Sequence, residues 1–248
     1  MKKSREELIE VYRDTERSFD EFPDLSDKYE LLKLADPIPV PESRKINNTV
    51  VEVINEDCVE VARHLSTQGN TCMLNMASRK RPGGGVNSGA MAQEEELARR
   101  SNLMKGLPSS AYPLKDEDFI YTFDVWFFKD RNYNRIKPFR CDILTMAAVN
   151  LNSERLSPRD YLKLMKRKIE NIVYWPHEMG TCNNLVLSAF GCGVFKNDPS
   201  LVSSLFADVI SKGTPYDKIV FAILNDNNSV GNNFQIFSKI LSEARFKA

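Results

Sequence analysis

A layered α/β domain, with helices on both faces of a mixed sheet, is the fold that the sequence predicts. Two observations carry it. From about residue 50 onward, short β-rich runs alternate with segments of helical period. Two glycine clusters, Gly83-Gly84-Gly85 and Gly191-Cys192-Gly193, each follow directly on such a run, at the strand ends where open α/β sheets bind ligands. With 248 residues the chain is long enough for one large domain with a substantial core. The expected organisation is an N-terminal helix and extended arm over residues 1–48, packed on a domain spanning 49–248.

In order along the chain, Leu8, Val11, Tyr12, Thr15 and Phe19 recur at helical spacing and predict an amphipathic opening helix over residues 5–20. Residues 21–48, with Pro23, Pro37, Pro39 and Pro41 among charges, read as an extended connection rather than a regular element. "VVEVIN" reads as a strand, "DCVEVARHL" as a helix capped by Asp57 or Asn55, and "TCMLNM" as a second strand. The first glycine loop then leads to a helix beginning near Gln93, with Leu97, Met104 and Leu107 as its apolar positions. "FIYTFDVWFF" and "FRCDILTMAAV", joined by a polar linker, read as a hairpin. A helix from Pro158 to Trp175, a strand "NLVLSAF", a helix from Pro199 to Lys212 behind an Asp198 cap, a strand "KIVFAIL" and a helix from Asn233 to Arg245 complete the alternation.

Composition narrows the function. Lys plus Arg number 34 and so do Asp plus Glu, so no global field draws nucleic acid or an anionic membrane, and an anionic ligand must be held by a local site. There are five cysteines without a C-x-x-C pair and only two histidines, His64 and His177, which argues against zinc; no metal is expected. The unpaired cysteines suit a reducing compartment, cytoplasmic or nuclear, and no apolar run reaches membrane-spanning length. A soluble intracellular monomer acting on a small ligand is the expectation.

The two glycine loops expose backbone N–H groups suited to a diphosphate. Neither G-x-x-x-x-G-K-[ST] nor a helix-opening G-x-G-x-x-G is present, which excludes the common nucleotide fingerprints. Cys192 has no histidine near it in sequence and is read as part of the loop rather than as a nucleophile. Between the loops stand Gln93, Glu94, Glu95 and Glu96. In isolation these acids gain from the helix dipole and from i,i+4 pairs of Glu95 with Arg99 and Glu96 with Arg100. Successive helical residues diverge by about 100°, so one or two of them can face a cleft beside the glycines. A carboxylate aimed at a sugar and crowded by another has its pKa raised toward that of a general acid. That is the chemistry of glycosidic bond cleavage.

"GGGVNSGAMAQEEE" resembles the signature of poly(ADP-ribose) glycohydrolases, three glycines followed by six to eight residues and Gln-Glu-Glu. "IYTFDVWFFKDR", "ILTMAAVNLN", "NLVLSAFGCGVFKNDP" and "KIVFAILND" follow in the order of the microbial-type family, so the resemblance covers nearly the whole chain. It implies a three-layer α/β/α macrodomain-like fold with a mixed central sheet and an N-terminal helical extension. It also implies an enzyme that needs no cofactor and acts on ADP-ribose polymers or ADP-ribosylated macromolecules. Carried onto this chain, Glu95 is the acid/base and Glu94 holds ribose hydroxyls. Gln93 positions the loop, and Phe195 packs on the distal ribose. Gly83, Gly84, Gly85 and Val86 grip the diphosphate and ribose together with Gly191, Cys192, Gly193 and Val194. Asp57 falls where an acidic partner for adenine is expected. The chain departs from common family residues at Met76, Ser188 and Phe190, which bears on fine substrate preference. The competing readings are a non-catalytic ADP-ribose binder, a hydrolase of ADP-ribose on protein, nucleic-acid base or small molecule, and a nucleic-acid contact through "SRKRP" and "ARR", which the zero net charge disfavours.

Overall fold

The computed structural model describes residues 3–35, 49–225 and 231–244. Strand β1 (Tyr29–Lys33), β2 (Val50–Ile54), β3 (Thr71–Met76), β4 (Asp118–Lys129), β5 (Arg135–Met146), β6 (Asn184–Leu187) and β7 (Lys218–Ala222) form one sheet in the order β1-β4-β5-β3-β6-β7-β2. The β1–β4 and β4–β5 pairs are antiparallel. The remaining pairs are parallel, which makes the sheet mixed as expected.

Alternation along the strands sorts side chains into two cores. Cys72, Leu74, Leu144, Leu185 and Phe221 share a cluster with apolar residues of α4 (Pro158–Gly180), α5 (Pro199–Ile210) and α6 (Asn233–Glu243). Met73, Ile143, Val186 and Val220 face the other way, against Val59, Ala62 and Leu65 of α2 (Cys58–Leu65) and Leu97 of α3 (Gln93–Arg100). Three layers result. Helix α1 (Arg5–Arg17) opens on a capping box: the Glu7 backbone N–H donates to Ser4 Oγ at 3.2 Å, and the Ser4 N–H to Glu7 Oε2 at 2.6 Å. It buries Leu8, Tyr12 and Thr15 and lies against α3. No helix among the described residues is long and apolar enough to cross a membrane.

Four expectations need correction. Tyr29–Lys33, placed within an irregular connection, is an edge strand paired with β4, because "YELLK" can use the free edge of a long hairpin without showing strong alternation itself; residues 36–48 lie outside the described residues. Helix α3 ends at Arg100, and Met104 falls in a short 3-10 turn over Leu103–Gly106 with Leu107 just beyond it. Helix α4 continues through Pro176 to Gly180 instead of stopping at Trp175; a proline removes one helical hydrogen bond, and here the last turn is closed by the Thr181 N–H donating to His177 O at 2.9 Å. Strand β6 covers only the first four residues of its run. Arg245, the expected end of the last helix, lies outside the described residues.

Candidate active site

Strand β3 has β5 on one side and β6 on the other, but its pairing with β6 stops at Met73↔Val186. The polar groups beyond that point are taken by a side chain. The Met76 N–H donates to Gln93 Oε1 at 2.9 Å, and Gln93 Nε2 donates to Leu74 O at 2.7 Å. The Gln93 amide thus occupies the place a parallel strand would fill. It ties the start of α3 to the sheet end and fixes where the next two residues stand.

Glu94 and Glu95 follow, 3% and 7% exposed. Glu95 Oε1 accepts the Gly85 N–H at 2.7 Å and Oε2 accepts the Ala92 N–H at 2.8 Å. The second bond is the reach-back half of a capping box, so Glu95 also satisfies a donor at the head of its own helix. Glu94 Oε2 accepts the Ser78 N–H at 2.6 Å, while its Oε1 is buried with no hydrogen-bond partner among the described residues. The hydroxyl of Tyr112 and Oδ1 of Asn75 are likewise buried without a partner there. Burial pushes the Glu94 carboxyl up to about 8, aided by the charge of Glu95. Glu94 lies the deeper of the two carboxylates.

The glycines answer to the carboxylates. Gly84 has φ +56°, and a Cβ there would strike Glu95 Oε1 and stand 2.9 Å from Glu94 Oε2. Glycine is what lets both acids lie against the loop. Gly83, Gly84, Gly85 and Val86 do not line the cleft. Their place is beneath it, with the Gly85 N–H spent on Glu95 and Val86 packed with Tyr12 and Ala98.

The cleft itself, about 430 Å³, is walled by Gln93, Glu94 and Glu95 on one side and by Gly191, Gly193, Val194 and Phe195 on the other. The second loop is held by Asn197, buried, whose Nδ2 donates to Gly191 O at 2.9 Å and Val149 O at 2.8 Å, and whose Oδ1 accepts the Tyr161 hydroxyl at 2.8 Å. Cys192 does not line the cleft; it is 6% exposed, and burial pushes its thiol up to about 12, which disfavours the thiolate a nucleophile needs. A second cavity of about 400 Å³ adjoins the first and shares Met76, Gln93 and Gly193 with it. Asp57 borders it, together with Arg131 and Tyr133 of the β4–β5 turn.

Asp57 has structural work as well. Its Oδ1 caps α2 through the Val59 N–H at 3.0 Å and accepts from Arg100 Nη1 at 2.7 Å. The expected i,i+4 pairs are absent. Arg100 is fully buried between Asp57 and Glu60, and Glu96 pairs with Arg99 at 3.0 Å and accepts the Tyr133 hydroxyl at 2.9 Å. Long-range partners outcompete the local pattern because both guanidinium groups are inside the fold, where an unpaired charge is costly.

Gly193 has an ordinary φ, and a Cβ added there meets nothing within 4 Å. The backbone angle therefore does not forbid a side chain. Gly193→Val is expected to fold with unchanged Tm and to lose ADP-ribose affinity by at least about 10-fold, since its side chain projects into open cleft. Cys192→Ser should bind normally. Calorimetric titration of both variants checks this, and normal binding by Gly193→Val would remove the second loop from the site.

A mixed sheet between helical layers carries, at its strand ends, a cleft with two carboxylates in one wall. Residues 25–130 match the family model described as "Microbial-type PARG, catalytic domain", which bears out the resemblance read from the sequence. The fold is similar to poly(ADP-ribose) glycohydrolase from Thermomonospora curvata bound to the inhibitor ADP-HPD, with TM-score 0.80 and 25% identity over 94% of this chain and 99% of that one. It is also similar to the Deinococcus radiodurans enzyme in complex with ADP-ribose, with TM-score 0.75 and 26% identity over 88% of this chain and 96% of that one. No curated protein matches the chain.

Proposed function

We propose that the chain is a poly(ADP-ribose) glycohydrolase that cleaves ribose–ribose O-glycosidic bonds and releases ADP-ribose. The observation that carries this reading is the pair Glu94 and Glu95, both turned into one cleft opposite the Gly191–Phe195 loop. A non-catalytic binder has no need of two buried carboxylates, one of them held protonated near neutrality. Both similar structures are of poly(ADP-ribose) glycohydrolases, one in complex with ADP-ribose and one bound to an inhibitor.

In this reading the distal ribose lies over Glu94 and Glu95 and packs on Phe195. The diphosphate runs along the second loop, and the adenosine enters the adjoining cavity near Asp57. Glu95 gives a proton to the departing 2′-oxygen as the C1″–O bond breaks and its electron pair leaves with that oxygen. The resulting carboxylate takes a proton from water, whose hydroxyl adds to C1″. Glu94 receives a ribose hydroxyl at Oε1, the oxygen left without a partner among the described residues. One carboxylate acts in both steps, and the grip of the two walls supplies positioning. A single chain provides every part of the site, which supports action as a monomer, and the five free thiols suit the reducing interior of a cell.

ADP-ribose at about 100 times its Kd is expected to raise the unfolding free energy by roughly 2.7 kcal/mol, with AMP at the same concentration protecting far less. Thermal unfolding with each ligand, beside chromatography of products from poly(ADP-ribose), tests both halves of the reading. Equal protection by AMP would exclude the distal ribose and its loops from the site.

A further inference from the structure

A third cavity lies at the same edge of the sheet. It holds about 560 Å³ and is bordered by Lys33, Arg79, Ser110, Tyr112, Lys115 and Asp118. Its place follows from register. Met76 ends β3 opposite Met146 of β5, Ile120 of β4 pairs with Thr145, and Lys33 of β1 pairs with Asp118. Cavities therefore stand in a row along one sheet edge: over β7 and β2, over β3 and β6, and over β4 and β1. The two carboxylates sit in the middle one, and the third cavity lies on the side away from the Asp57 cavity.

The middle and third cavities are bordered by neighbouring residues of one segment. Ser78 borders the middle cavity and its neighbour Arg79 borders the third. Tyr112 borders the third cavity, and its buried hydroxyl lies near enough to Glu94 to feel that charge. The lining carries three cations, Lys33, Arg79 and Lys115, against one carboxylate, Asp118. Arg79 pairs with Asp116 at 2.6 Å and with Glu154 at 3.4 Å, and Lys33 with Asp118 at 2.7 Å, but Lys115 is exposed and makes no ion pair among the described residues. Lys80 and Arg81, also exposed, make none either and follow Arg79 in the chain.

We propose that this third cavity is the leaving-group subsite, which receives the ADP-ribose unit whose 2′-oxygen departs from C1″ and holds its diphosphate against Lys115 and Arg79. The inference rests on the glycohydrolase reading. An ADP-ribose polymer is a linear polyanion, so a unit spanning the first two cavities must continue outward from the carboxylates. The third cavity lies on that path, has the complementary charge, and offers the Tyr112 ring to a base.

The test compares two substrates of the intact chain: poly(ADP-ribose), and ADP-ribose carrying a small uncharged aryl leaving group at C1″. Lys115→Glu is expected to raise KM for the polymer about 10-fold and to flatten its dependence on salt, while turnover of the aryl substrate and ADP-ribose affinity stay the same. Ser110→Trp, which fills the cavity from an exposed position, should produce the same selective loss. Unchanged polymer kinetics in both variants overturn the proposal, as does an equal loss on both substrates. A loss seen only with ADP-ribose attached to an oligonucleotide end, with the polymer unaffected, overturns it too. A wild-type chain that binds ADP-ribose but cleaves neither substrate refutes the glycohydrolase reading and the subsite with it; a wild-type chain that cleaves both while Lys115→Glu and Ser110→Trp match it refutes the subsite alone.

Discussion

Glu95→Gln is expected to lower turnover of poly(ADP-ribose) by roughly 10²–10⁴-fold while ADP-ribose affinity stays within a few-fold, because the amide keeps the size of the side chain but cannot relay a proton. Stability should fall by about 1 kcal/mol, since Glu95 takes N–H groups from both Gly85 and Ala92 and the amide offers only one oxygen. Glu96→Gln, whose carboxylate is engaged by Arg99 and Tyr133 outside the reaction, should retain turnover. Steady-state hydrolysis set beside calorimetric binding separates the outcomes. Retained activity in Glu95→Gln would end the acid/base assignment, and activity lost only in proportion to binding would make Glu95 a ligand-holding group.

The second large effect is on stability against pH. The Glu94 carboxyl, ordinarily near 4.5, is held near 8 by burial in the folded chain. Between those two values the unfolded chain has released this proton and the folded chain has kept it. Stability from this group is thus fully present below about pH 4.5 and is lost as pH rises through about 8, a change on the order of 4 kcal/mol. Glu94→Gln, neutral throughout, should remove that slope, so that its Tm advantage over the wild type grows by roughly 10 °C from pH 5 to pH 8. Asp142, also raised by burial, contributes in the same direction in both proteins and cancels in the difference. Parallel Tm curves for the two proteins would show that Glu94 is ionised in the fold at neutral pH. ADP-ribose hydroxyls, if they engage Glu94, should bind the variant more weakly.

The parts of this molecule that announce themselves in sequence are those with local causes. Alternation in "TCMLNM" and "KIVFAIL", the Asp57 and Asp198 caps and the Gln93-Glu94-Glu95 run all read correctly as strand, helix start and cleft acids. What stays hidden depends on distant partners. Arg100 looks like a surface neighbour of Glu96 until Asp57, 43 positions away, is folded against it. Asn75 is one polar residue in an apolar strand, and nothing in its spacing shows that it lies at the carboxylate floor. Tyr112 and Asn197 stand in irregular segments whose course is set by the elements around them. The glycine triplet reads as a ligand grip because glycine-rich loops often serve anions; in the fold the positive φ and close contacts of Gly84 serve the protein's own carboxylates, while Gly83 lies against Met104. A one-dimensional pattern does not distinguish those two anions.

The opening helix gives the wall that carries Glu94 and Glu95 a dependence on chain far from it. Thr15 Oγ1 donates to Arg99 O at 2.5 Å, Arg99 Nε donates to Leu8 O at 3.3 Å, and Arg99 Nη2 donates to Ala90 O at 2.6 Å. At the other end of the same helix, the Arg5 carbonyl oxygen comes so close to Gly89 that a Cβ there would stand 2.5 Å from it. Helix α1 thereby clamps both the loop and the helix that carry Glu94 and Glu95, although the recognised family segment begins only at residue 25. Recognition from sequence and mechanical integrity have different borders in this chain. A fragment trimmed to the recognised segment would keep both glutamates and lose the brace that aims them, together with the opposing wall at Gly191–Phe195.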